Sequence, residues 1–285
     1  MREGFIMTYL LLFAAIVANG IQSTVFKGCS EKNKNINTYA YTGLVALFSM
    51  LFFVVASKGK FEFDPGSAIY SAAFALCYIL SVLGNAKAIE CGPLSLSTLV
   101  IQCSLIIPTM YGFVILKEEI SVFAKIGIAL IFLCLILVNP GGKSGKIPAK
   151  WYVWVIMSFI GNGMCSTVQK MQQLKFDGAY KTEFMITALL IVFAVMTVFG
   201  LIKKEGRTKG IVKYAVAQGV SNGVLNMLVM VLTALLPTAV LFPAVLSGGM
   251  IIAFIASVTV FKERLTARQY IGYGIGVVSV ILSSL

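Results

Sequence analysis

Long apolar runs follow one another along almost the whole chain. Each run is about 20 residues long, which is the length that a helix needs to cross the hydrocarbon core of a bilayer. Because 59% of the 285 residues are hydrophobic and 12% are charged, the chain has too little polar surface for a soluble globule. We therefore predict an all-α membrane protein. Its ten transmembrane helices are predicted at residues 5–26, 37–57, 66–87, 94–115, 121–139, 151–170, 182–202, 211–231, 238–260 and 267–285.

A nine-residue phrase occurs twice in the chain. Asn19–Lys27 reads NGIQSTVFK and Asn162–Lys170 reads NGMCSTVQK, so six of the nine positions are identical at a distance of 143 residues. Both copies close an apolar run of helical length. The phrase therefore indicates a tandem duplication.

Two further pairs of segments support the duplication. Leu116–Gly127 and Phe261–Gly272 share a Lys-Glu turn followed by an apolar-hydroxyl pair and Ile-Gly, at an offset of 145 residues. Pro93 and Pro237 match at 144 residues, each just before the fourth span of its half. Three anchors in the same order predict five spans in each copy.

An odd number of spans inverts the second copy relative to the first. We predict a first five-helix repeat over 1–140, a connecting loop over 141–150 and an inverted second repeat over 151–285. Inverted repeats are typical of transporters that work by alternating access.

Composition argues against metal, cofactor and nucleic-acid sites. The chain has no histidine, and its six cysteines show no CxxC spacing, so we expect neither a metal site nor a cofactor. The net charge of +12 comes from basic residues in short loops beside helix ends. Such residues indicate contact with anionic lipid rather than with nucleic acid.

The turns and the segments that lead into the fourth and ninth spans resemble a known family. The Lys-Glu turns described above, together with Gly92–Ser97 and Leu236–Val240, are similar to those of the ten-helix EamA-type members of the drug/metabolite transporter superfamily. The resemblance covers the entire chain. It implies a carrier with a central cavity lined by the first, third and fourth helices of each half, with the fifth helices at the periphery or between subunits, as a monomer or a homodimer.

The orientation in the membrane is left open by two opposed arguments. Eight Lys and Arg residues fall on the side of the N-terminus and fifteen on the other side, which predicts termini outside. The family resemblance implies that both termini are in the cytoplasm.

Uncharged polar residues within spans are the best candidates for a solute path, because a polar group in the hydrocarbon region requires water or a partner. In the first helix Asn19, Gln22 and Ser23 lie on one face, and Asn162 and Ser166 occupy the corresponding face of the sixth. The alternative role of these residues is close helix packing and interhelical hydrogen bonding.

The third and eighth spans carry a second pair of polar stripes. Tyr78 and Asn85 are seven residues apart, Asn222 and Asn226 are four apart, and Tyr78 coincides with Asn222 at an offset of 144. Either a cavity or hydrogen bonds between helices would explain them.

Other polar candidates lie near prolines or at helix ends. Gln102 and Ser247 belong to the fourth and ninth spans, which also contain prolines. Lys27 and Lys170 either attract an anionic solute at a cavity mouth or reach the lipid headgroups. Glu118 is expected to satisfy backbone groups at its turn.

These features predict a secondary transporter in the plasma membrane. It moves a small polar or amphipathic metabolite, such as an amino acid or an amine, or a drug, and its partners are this solute and the bilayer. The alternatives are an intramembrane enzyme and a non-transporting membrane protein. An enzyme would need a nucleophile with a base or metal ligands inside the spans, whereas Asp64 and Asp177 fall in loops.

Overall fold

The computed structural model describes residues 2–32, 36–91, 97, 100–101, 103–119, 121–138, 148–203, 210–260, 262 and 266–283. Within these ranges it has ten α-helices. They are α1 Arg2–Lys32, α2 Thr38–Ala56, α3 Pro65–Cys91, α4 Ile106–Met110, α5 Val122–Val138, α6 Ala149–Lys175, α7 Lys181–Lys203, α8 Val212–Leu232, α9 Thr238–Thr259 and α10 Ala267–Ser283. In α1, α2, α3, α7, α8 and α9 a segment is long and apolar enough to cross a membrane. The predicted all-helical architecture is thus confirmed for the described residues, and these six helices are consistent with a multi-pass membrane protein.

The fourth span departs from the continuous helix predicted over 94–115. Its described part changes from a 3₁₀ turn at Cys103–Leu105 to α4, and then to a π-helical turn at Tyr111–Ile115. Pro108 lies within α4, and proline has no N–H to donate to the carbonyl four residues earlier. The interruption follows from this missing donor.

The chain forms two compact units, each built from both halves of the sequence. Unit 1 comprises Met1–Leu76 and Val168–Leu235, and unit 2 comprises Cys77–Thr167 and Leu236–Leu285. α3 and α6 therefore contribute residues to both units. The two units are defined by contacts in space, whereas the predicted repeats at 1–140 and 151–285 are defined by similarity along the sequence. The units therefore leave the predicted repeats as a prediction.

In unit 1, α2 and α7 pack in opposite directions. Asn37, just before α2, accepts a hydrogen bond from the Ala40 N–H and donates one of 3.2 Å to the Gly200 carbonyl near the end of α7. Further along α2, Gly43 lies against Thr197, which precedes Gly200. As residue numbers rise in α2 they fall in α7, so the two helices are antiparallel.

Helix α8 packs along both α1 and α2 in unit 1. The Tyr41 hydroxyl donates to Oε1 of Gln218, and the Ser49 hydroxyl donates to Oδ1 of Asn222 over 3.1 Å. Residue numbers rise together along this contact, so α2 and α8 are parallel. This packing brings polar side chains from three helices to one level of the unit.

In unit 2, α5 and α10 form the most extensive helix pair described. The Arg268 guanidinium, at the start of α10, donates to the Ile136 carbonyl near the end of α5 over 2.7 Å, and Gly276 lies against Cys134 further along. This pair is therefore also antiparallel.

The lysines of the two predicted Lys-Glu turns share a backbone conformation. Lys117 and Lys262 both have a φ of 52°, in the left-handed region that non-glycine residues seldom adopt. They lie 145 residues apart, at the offset of the repeat.

Candidate functional site

Four amide side chains from three helices of unit 1 form a connected series. Gln169 belongs to α6, Asn226 and Asn222 belong to α8, and Gln22 belongs to α1. Gln169 is 3% exposed, and the other three are partly buried. We call these four residues, in this order, the amide chain. A buried amide is stable only when its donors and acceptors find partners, so the contacts between these residues hold the helices together.

Each of the first three members of the amide chain donates its NH₂ group to the side-chain oxygen of the next member. Nε2 of Gln169 lies 3.4 Å from Oδ1 of Asn226, Nδ2 of Asn226 lies 3.2 Å from Oδ1 of Asn222, and Nδ2 of Asn222 lies 3.1 Å from Oε1 of Gln22. The Ser49 hydroxyl adds a second donor to Oδ1 of Asn222 at 3.1 Å. Asn222 is therefore the branching point of the network.

The amide chain ends in a buried donor. Nε2 of Gln22 is shielded from solvent and has no hydrogen-bond partner among the described residues. Leaving a buried donor unsatisfied costs about 1–3 kcal/mol. The fixed position of this N–H group makes it the natural contact point for an acceptor.

A second polar group lies at the C-terminal end of α6. Lys170 is 4% exposed, and its Nζ donates to the Thr233 carbonyl at the end of α8 over 2.6 Å. Gln172 is fully buried and donates to the Ser67 hydroxyl over 3.1 Å. The lysine is thus bound to a helix C-terminus, where a cation is favoured, and it does not reach the lipid headgroups.

In unit 2, Asn162 of α6 donates to the Ser104 hydroxyl over 2.7 Å. Tyr78 of α3 is partly buried. Under the repeat, Cys165 corresponds to Gln22 and Tyr78 to Asn222. Tyr78 and Cys165 both lie in unit 2, and the equivalent Asn222 and Gln22 both lie in unit 1.

The other predicted residues of unit 2 have separate surroundings. The buried Ser247 hydroxyl donates to the Pro243 carbonyl of its own helix over 2.6 Å. Oδ1 of Asn85 is buried and has no hydrogen-bond partner among the described residues. Ser166 is partly buried.

The eleven predicted site residues thus fall into separate groups. Unit 1 holds Asn19, Gln22, Ser23, Asn222 and Asn226, unit 2 holds Tyr78, Asn85, Asn162, Ser166 and Ser247, and Gln102 lies outside the described residues.

In unit 1, three of these residues meet directly. Gln22, Asn222 and Asn226 are linked in the amide chain. Ser23 is exposed, and its hydroxyl points to the Asn19 carbonyl on its own helix at 3.4 Å.

Sequence reasoning missed Gln169 and Ser49. Gln169 has a signal in the sequence, because it lies seven residues after Asn162 on the same helical face, where the first copy of the phrase has Phe26. Ser49 is a lone hydroxyl in an apolar helix, and such a residue is commonly bonded to its own backbone.

Glu118 contacts the start of α9 in unit 2. Its Oε1 accepts a hydrogen bond of 2.7 Å from the Thr238 hydroxyl, and its Oε2 accepts one of 3.3 Å from the Ala239 N–H. Gly112 provides the necessary space, because a Cβ atom there would lie 2.5 Å from the carboxylate. Glu118 thus supplies a negative charge and two acceptors to the N-terminus of α9, a helix that lies outside the turn at which its role was expected.

Comparison with known proteins shows a family match and likenesses to solved structures. A model of the EamA-like transporter family matches residues 6–139. A solved structure titled only "Crystal structure of protein" is 11% identical, with 98% of each chain covered and a TM-score of 0.80. At this identity the second likeness shows a shared fold alone. No curated protein matches the chain.

Proposed function

We propose that this chain, whose residues 6–139 match the model of the EamA-like transporter family of the drug/metabolite transporter superfamily, is a multi-pass membrane transporter. It carries a small polar or amphipathic solute by alternating access. The solute is a metabolite such as an amino acid or an amine, or a drug. The transporter family points away from an enzyme. We place the protein in the plasma membrane, where such a carrier exchanges solutes with the surroundings.

The directions of equivalent helices support the inverted repeat. α2 corresponds to α7 and α5 to α10 at the offset of about 144 residues that the repeated phrase and turns define. Both pairs are antiparallel within their own units. Two copies with the same orientation would place equivalent helices parallel, so the inverted arrangement explains these contacts.

The amide chain is the observation that supports a polar solute with little net charge. Its neutral donors and acceptors lie in a helical unit that otherwise consists mainly of apolar residues. Polar side chains inside a membrane protein commonly mark the path of a solute. Neutral amides suit polar solutes that carry little net charge.

Transport by purified protein in liposomes tests this function. We expect saturable uptake of at least one member of a panel of amino acids, amines, sugars and nucleotides. The Asn222→Leu variant should lose about tenfold or more of this uptake, because it leaves the partner groups on Gln22 and Ser49 unsatisfied. Each variant is first checked for a monodisperse, folded state in detergent.

Gln218→Met is the matched control. Gln218 lies on the same helix one turn earlier, and it accepts one interhelical hydrogen bond outside the amide chain. This variant should retain uptake within about threefold, which is a difference of less than 1 kcal/mol. Equal losses in both variants would reject the amide chain as the site, and no uptake of any solute by the unmodified protein would reject the transporter.

A further inference from the structure

All donors in the amide chain point in one direction. From Gln169 through Asn226 and Asn222, each NH₂ group faces the oxygen of the next residue, and the series ends at Nε2 of Gln22. Reversal of any amide would place two oxygens or two NH₂ groups together. The network therefore fixes Gln22 with its oxygen toward Asn222 and its NH₂ group outward from the chain.

Aligned hydrogen bonds polarise one another. In condensed phases the strengthening is about 10–30% per bond, so the terminal N–H group of Gln22 is a stronger donor than an isolated amide. Ser49 reinforces the alignment by donating to Asn222.

A carboxylate is the best partner for such a donor. A hydrogen bond to an ionised group is roughly twice as strong as one between neutral groups. We propose that the solute presents a carboxylate to Nε2 of Gln22, so that the carrier selects carboxylate-bearing solutes such as zwitterionic amino acids over simple amines. This inference rests on the proposed transport function and narrows its solute class.

A matched set of ligands tests the role of the carboxylate. Leucine, leucinamide, isoamylamine and isocaproate share one apolar group and differ in their polar ends, and the set is repeated for alanine and phenylalanine. Binding is measured as thermal stabilisation of the full-length protein in detergent. We expect the carboxylate compounds to bind about tenfold or more tightly than the amines, with the carboxamides between them.

Two substitutions at Gln22 test the donor. Gln22→Glu keeps an oxygen for Asn222 but removes the terminal NH₂ group, and Gln22→Met removes both groups. Both should weaken binding of the carboxylates about tenfold, and neither should weaken binding of the amines more than about threefold. Gln22→Glu can only strengthen binding of the amines, because its carboxylate attracts an ammonium group. Gln218→Glu, which keeps the acceptor for Tyr41, is the control and should leave both classes within about threefold.

The outcomes separate this inference from the proposed function. Amines that bind as tightly as the amino acids would overturn the carboxylate assignment, and so would the absence of binding by every carboxylate at up to about 10 mM. Uptake of amines in liposomes would leave the transporter function intact in either case. Carboxylate-dependent binding without any transport would support the assignment and contradict the transport function.

Discussion

Glu118 joins the turn after the fourth span to the first residues of α9. A helix N-terminus has backbone N–H groups without intrahelical partners and a partial positive charge. The carboxylate meets both needs, and it is only partly buried. This single residue therefore fixes the start of one helix from a distant part of the sequence.

Substitution of Glu118 by Ala should lower the stability of unit 2. We expect a loss of about 1–3 kcal/mol, because the Thr238 hydroxyl and the Ala239 N–H lose their acceptor. The midpoint of thermal unfolding in detergent measures it. The control is Glu119→Ala, since Glu119 is exposed on the adjacent position, and an equal effect of the two substitutions would contradict the capping role.

At the level of elements, α3 and α6 approach so closely in unit 2 that their glycines are required. A Cβ atom on Gly84 would lie 2.7 Å from the backbone of Trp154 and Ser158, and one on Gly161 would lie 2.6 Å from the Cys77 carbonyl. The Ser158 hydroxyl crosses the same contact to the Ser81 carbonyl over 2.8 Å. In lipid the hydrophobic effect does not drive helices together. Small residues let the two backbones approach closely, and the van der Waals contacts that result stabilise the pair.

Gly161→Ala should therefore disturb this helix pair. The added methyl group meets rigid backbone rather than a flexible side chain, so we expect a loss of about 1–3 kcal/mol and a lower yield of monodisperse protein. Gly274→Ala on α10 is the matched control, because no atom outside its own helix backbone lies within 4 Å of a Cβ placed there. A gain of up to about 1 kcal/mol is expected there from helix propensity. Unchanged stability in the Gly161→Ala variant would contradict the need for a glycine at this contact.

For the whole molecule, the proposed inversion predicts on which side of the membrane equivalent positions lie. Lys58 and Lys203 are exposed near the C-terminal ends of α2 and α7 and are 145 residues apart. Cysteines placed at these two positions, in a variant without the six native cysteines, should react with an impermeant thiol reagent from opposite sides. Labelling after permeabilisation provides the control for total reactivity. Reaction of both cysteines from the same side would contradict the inverted repeat.

The sequence predicted the helices because the bilayer leaves few choices. Each span must satisfy its backbone hydrogen bonds internally, so apolar length alone locates a helix. α2, α7 and α8 begin and end within one residue of their predicted bounds. The fourth span differs because Pro108 acts on local hydrogen bonds, which an average over an apolar run does not register.

The candidate site was predictable only in part. Its polar residues were visible as exceptions in apolar helices, and Gln22, Asn222 and Asn226 were found in this way. Their partnership was not visible, since Gln22 and Asn222 are 200 residues apart and meet only because α1 packs along α8. Gln169 joins them through the position of α6, which depends on the packing of its neighbours.

The amino-acid sequence by itself predicted the membrane class, the approximate limits of most helices and the repeated segments, because these follow from length, apolarity and repetition along one chain. The tertiary structure decided which polar side chains share hydrogen bonds, which way the amides point and which end of a helix Glu118 contacts. The reason is physical: helix rotation and approach are set by close contacts between small residues on different helices, and those contacts form only in the folded bundle.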